Sequence, residues 1–252
     1  MQSLQVTSGG ILCLGLILGW YASATAGPRM VVMASIFPVA DLVQQIGAER
    51  WETITLIPAG ASAHTYEPTP EQVRQLAQAS IFFQIGLKLE FWLEKLVQAA
   101  KNPTLVIVDL SQGIETIRTP SPELPQIPDR SARRGPASSD IRPAQEHQHA
   151  FTHDSPDAHY WLDPIRMQLV VSRIAQEFTK LDTEHAWLYA ERAQQIRAGL
   201  EQLHVEIVQR TAELPRRRFI ALHSAWTYFA DRYSLVQAAV VEPFPGREPS
   251  PW

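Results

Sequence analysis

Cysteine is almost absent from this chain: of 252 residues only Cys13 is one, and it lies inside an apolar run near the amino terminus. A framework of internal disulfides is therefore excluded, and a metal held here must rely on histidine and carboxylates rather than a thiolate cluster. Charge of one sign is also scarce. Charged residues make up 19% and the net charge is −4, so there is no basic surface of the kind that holds nucleic acid, and that partner class is set aside. No Gly-rich loop of the G-x-x-x-x-G-K-[ST] type occurs, so the chain carries no P-loop signature. His-Glu-x-x-His is missing too, and with it the commonest zinc-protease helix.

The first 26 residues contain no Asp, Glu, Lys or Arg, and Ile11 to Trp20 form an apolar run short of a bilayer span. Ala24-Thr25-Ala26 fits a small-residue cleavage pattern, so residues 1–26 read as a signal peptide for export, although the usual positive charge ahead of the apolar core is missing. A retained anchor is the alternative. Leu12, ahead of Cys13, is not the small residue that lipoprotein processing requires, which argues against a lipid anchor.

What is present is a globular composition, 45% hydrophobic, arranged as strands alternating with helices. Val31 to Ile36, Ile54 to Ile57, Ile81 to Ile85 and Leu105 to Val108 read as short buried strands. Between them lie a helix opened by Pro38 and ended by Gly47, a second opened by Thr69-Pro70 with Gln72 completing a capping box, and a third beginning near Leu89. This alternation predicts an α/β fold with a parallel sheet, whose ligands gather beyond the carboxyl ends of the strands. His64 falls there, after a strand and before a helix.

Seven prolines between Thr119 and Asp157 mark a mobile loop over 119–157. Its end is dense in metal donors: Glu146, His147, His149, His153, Asp154 and Asp157. Such a tract can assist metal capture or simply be solvated. Asp163-Pro164 then starts a helix, and Thr183 caps a run that continues to Glu213; thirty residues would span roughly 45 Å, enough to tie two lobes together. His185 and His204 on this run read as surface residues. Phe219 to Leu222 reads as a strand delivering His223, Ser224 as the cap of the next helix, and Leu235 to Val241 as a last strand. The expected organisation is a signal peptide (1–26), an amino-terminal α/β lobe (27–182), a linking helix (183–213) and the start of a carboxyl-terminal α/β lobe (214–252) that is incomplete, as in a truncated fragment.

His64, His159 and His223 are separated by 95 and 64 positions, so nothing local shows that they converge. Taken singly, each suits a hydrogen-bonded cleft histidine as well as a ligand. Their contexts are more specific. His64-Thr65-Tyr66-Glu67-Pro68, His159-Tyr160-Trp161-Leu162-Asp163-Pro164 and Leu222-His223-Ser224-Ala225-Trp226 resemble the metal-binding proteins of bacterial ABC importers for zinc and manganese, the periplasmic zinc-binding type in particular. Ile36-Phe37-Pro38 and Glu242-Pro243-Phe244-Pro245-Gly246 extend the likeness to almost the whole chain after the signal.

The resemblance implies two α/β lobes joined by a long rigid helix, with the three histidines binding Zn²⁺ between them. It implies a monomeric periplasmic substrate-binding protein, not an enzyme, that delivers the ion to a membrane permease driven by a separate ATPase. Manganese-selective relatives tend to carry a carboxylate where this chain has His223, and imidazole suits zinc better than the harder Mn²⁺. A manganese receptor is the alternative within the class; a secreted zinc hydrolase or lyase, or an adhesin, is the alternative outside it. A carboxylate that approaches the fourth ligand position in much of the family has no match here, leaving water, Asp154, Asp157 or Glu242. Binding requires neutral imidazoles, so acidification through the histidine range should weaken it.

Overall fold

The computed structural model describes residues 29–118 and 156–242. The expected signal peptide, nearly all of the Pro-rich loop and the segment after Glu242 lie outside the described residues.

Four parallel strands form the first sheet: β1 (Met30–Ala34), β2 (Trp51–Thr55), β3 (Ile81–Gln84) and β4 (Val106–Asp109), in the order β2-β1-β3-β4. Helices α1 (Phe37–Gly47), α2 (Pro70–Gln78) and α3 (Leu93–Ala100) are the crossovers that parallel pairing demands. Val32, Met33 and Ala34 at the centre of the sheet are fully buried, as are Ile81, Phe82 and Phe83 on β3, because helices cover both faces. The expected α/β class is present, and every carboxyl end of this sheet points to one edge.

Gly47 is the last residue of α1, as expected, with Ala48 following at φ 39° and ψ −121°. Gly47 is needed for space: a Cβ there would stand 3.0 Å from Phe178 Cε2 and 3.0 Å from Trp51 Cδ1, in the stack where those rings lie 4.4 Å apart. The third helix begins at Leu93 rather than near Leu89, because Gly86, Leu87 and Lys88 all have positive φ and the buried Glu90 carboxylate accepts from the Ile85 and Gly86 N–H groups. The capping box at Thr69 and Gln72 forms as expected.

Pro164–Leu181 is α4, capped by Asp163, and Ala186–Ala212 is α5. Thr183 does not cap α5. Residues 183–185 form a 3-10 turn, and the organising side chain is Asp182, which accepts from His185 Nδ1 (2.8 Å), Tyr189 Oη (2.7 Å) and Arg50 Nε (3.1 Å). With 27 residues, α5 spans roughly 40 Å. Its amino-terminal half packs on α1 and α4 through Tyr189 and Ala193, whereas Leu203 in its second half is exposed.

Beyond α5, β5 (Arg218–His223) and β6 (Val236–Glu242) pair in parallel as a second sheet, with α6 (Thr227–Arg232) between them. Ser224 caps nothing: α6 starts three residues later, without a side-chain cap. Ile220, Leu222 and Val236 of this two-stranded sheet are more than half exposed, since among the described residues no second layer covers their face.

Candidate metal centre

The carboxyl ends of β1 and β2 and that of β5 face one cleft of about 490 Å³, lined by Phe37 and Pro38 at the start of α1, by the loop from Ile57 to His64, and by His159, Trp161, His223 and Glu242. All three candidate histidines meet in it. Their ring centroids stand 5.2, 5.3 and 5.4 Å apart, close to an equilateral triangle, and one nitrogen from each lies within 4.8 Å of the others. His64 Nε2 and His159 Nε2 are 3.2 Å apart. Around a tetrahedral zinc with bonds of about 2.0–2.1 Å, nitrogens sit roughly 3.3 Å from one another, so this spacing is already close to that required.

Each ring is positioned by a different device. His64 lies on the loop after β2, where its backbone N–H donates to Ser62 Oγ at 3.3 Å. Two residues on, Tyr66 donates to Gln72 Oε1 (2.9 Å) and packs edge-on against Trp92, which ties the loop to the capping box of α2. His159 is buried, with Trp161 against its ring at 4.9 Å. Its Nδ1 faces Asp157 Oδ1 at 2.6 Å, and the same oxygen accepts the His159 backbone N–H at 2.8 Å. Because an ionised carboxylate can only accept, the proton belongs on Nδ1 and the Nε2 lone pair is turned toward the other histidines. His223 ends β5, paired in register with Glu242 at the end of β6.

At His64 and His223 the electrostatics favour the neutral ring. Burial, followed by the proximity of His159 and His223, depresses His64 from 6.5 to about 4. His223 is depressed by burial and then by His159, against a smaller opposing pull from Asp157 and Glu242. Burial alone would raise Asp157, but its hydrogen bonds from His159 outweigh this and keep it below the usual carboxylate range. A bare, desolvated cluster of imidazoles beside a stabilised carboxylate is suited to taking up a divalent cation.

Of the accessory residues expected from sequence, His147, His149, His153 and Asp154 lie outside the described residues. Asp157 stands behind His159, with one oxygen committed to that ring. Sequence reasoning missed Tyr228 and Arg232, which bring α6 against the His159 segment; only their helical spacing could have flagged them as sharing a face.

The family model for the periplasmic zinc-uptake complex component A, ZnuA, matches residues 32–252. A high-affinity zinc uptake system protein ZnuA of Bacillus subtilis is 25% identical over 89% of this chain and 65% of its own length. A manganese-binding lipoprotein MntA of Halalkalibacterium halodurans is 24% identical over 86% of this chain and 62% of its own. The chain thus spans less than two-thirds of the length of these curated relatives. Among solved structures, a crystal structure of ZnuA is 30% identical, with a TM-score of 0.69, covering 88% of this chain and 74% of that one.

Proposed function

The chain belongs to the ZnuA family of periplasmic zinc-uptake components, and on that premise we propose that it captures Zn²⁺ outside the cytoplasm and passes it to the permease of an ABC importer, whose ATPase is a separate chain. The observation that carries the reading is the convergence of His64, His159 and His223 at one cleft. Three imidazole nitrogens favour zinc over manganese, which prefers carboxylate and water. Water, or the Glu242 carboxylate from the cleft wall, completes the tetrahedron. The two sheets act as the walls of two lobes, 27–182 and 214–252, with α5 as the link, and His147, His149, His153 and Asp154 assist capture ahead of the cleft. The protein works as a monomer, binds the ion reversibly and performs no chemistry on it.

The test is competitive titration against a zinc chelator. His64→Ala, His159→Ala and His223→Ala should each weaken zinc binding by more than the roughly 10–100-fold that changes behind a ligand cost. His185→Ala, whose ring serves Asp182 instead, should leave it unchanged. Equal losses from all four would sink the ligand assignment, and displacement of zinc by equimolar Mn²⁺ would overturn the choice of metal.

A further inference from the structure

His159 and His223 come from different lobes, so the gap between them depends on whatever joins α6 to the segment 157–163. Two contacts do so. Asp163, the cap of α4, has a fully buried carboxylate that accepts from the Ile165 N–H, from Arg166, and from Arg232 at the end of α6: Arg232 Nε stands 3.1 Å from each oxygen and a terminal nitrogen 2.8 Å from Oδ2. One turn earlier, the buried Tyr228 donates to the Asp157 carbonyl at 2.6 Å and accepts from the Ile117 N–H at 3.2 Å, while the Arg166 guanidinium lies 4.7 Å over its ring.

The two contacts bracket the ligand. Tyr228 grips the carbonyl of the residue whose carboxylate holds His159 Nδ1, and Arg232 grips the carboxylate four residues beyond His159. Both grips come from a helix that begins four residues after His223. Resting on the reading that the three histidines bind the metal, we propose that Tyr228 and Arg232 are positioning residues, forming a latch that holds the His223 strand at liganding distance from His159 and so sets how long the ion is retained.

The arrangement predicts which lesion is informative. Asp163 also caps α4 and neutralises Arg166, so replacing it endangers the fold. Arg232 can be removed more safely, because Arg166 and the Ile165 N–H still satisfy Asp163. A lysine at 232 restores the charge but not the two-pronged geometry, because an ammonium is a point charge.

Arg232→Met and Tyr228→Phe should therefore shorten zinc residence by about tenfold, measured by stopped-flow transfer to a chelator, with a much smaller change in the association rate. Their Co²⁺-loaded forms should show altered visible absorption, which reports ligand geometry and which a general loss of stability would not shift. Arg232→Lys should recover the loss in part. Arg210→Met, which removes an exposed pair with Glu206 on α5, should change neither quantity. Wild-type dissociation rates and Co²⁺ spectra in both Arg232→Met and Tyr228→Phe would overturn the latch. If the three histidine variants bind zinc normally, the site reading itself has failed; if they lose zinc while both latch variants retain it, only the latch has failed.

Discussion

Protonation of His64 offers the sharpest quantitative test of the site. In the folded apo-protein this ring titrates at about 4 against an ordinary 6.5, because burial and two neighbouring imidazoles oppose its charge. The unfolded chain takes up the proton first as pH falls, so the folded state is progressively disfavoured between about 6.5 and 4 and suffers no further loss from this group below that. Each pH unit between the two values costs roughly 1.4 kcal/mol. Relative to pH 7.5, His64 should thus cost the apo-protein roughly 1.3 kcal/mol at pH 5.5 and roughly 2.5 kcal/mol at pH 4.5.

Other groups titrate as well. Asp157, Asp163 and Asp182 are all held below their ordinary values, and the stability they add is lost as pH falls from the ordinary carboxylate range through those depressed values. Urea unfolding of metal-free wild type and His64→Gln, at matched pH from 7.5 to 4.5, cancels that background. Stability of the wild type relative to the variant should decline by the amounts above. A difference that stays flat across this range would mean that His64 is as free to charge as an exposed ring, and that the cleft is not the desolvated cluster described. The same shift bears on zinc: a His64 that is neutral down to about 4 does not need to shed a proton on binding at pH 6, so its part in the acid-induced loss of affinity begins below the ordinary histidine range.

Asp157→Asn keeps an oxygen to accept from His159 Nδ1 but removes the charge, and should weaken zinc binding about tenfold; Asp157→Ala removes both and should approach 100-fold, with chelator competition as the measurement. Gly47→Ala should destabilise the fold by about 1–3 kcal/mol in urea without altering zinc affinity, because the new methyl would press on the Trp51–Phe178 stack far from the cleft.

Local pattern was enough for much of the architecture. Apolar runs of four or five residues alternating with amphipathic helices specify a parallel α/β sheet, and Thr69-Pro70 with Gln72, or Asp163-Pro164, announce helix starts through bonds made within three residues. Sequence also put His64 after a strand and marked the contexts of His159 and His223. Where it erred, the deciding partner was distant. Asp182 supplanted Thr183 at the start of the long helix because Arg50 and Tyr189 converge on it.

The sequence by itself determined the elements, the order in which they alternate, and which three histidines were candidates for one site. Tertiary structure alone decided that rings 95 and 64 positions apart share one cleft, that an Asp157 oxygen is committed to His159, and that Arg232 and Tyr228 join α6 to the His159 segment. The physical reason is range. Helix periods, caps and strand propensities are set by neighbours a few residues away, whereas liganding distance, desolvation and tautomer depend on side chains brought together only when the sheets and helices pack.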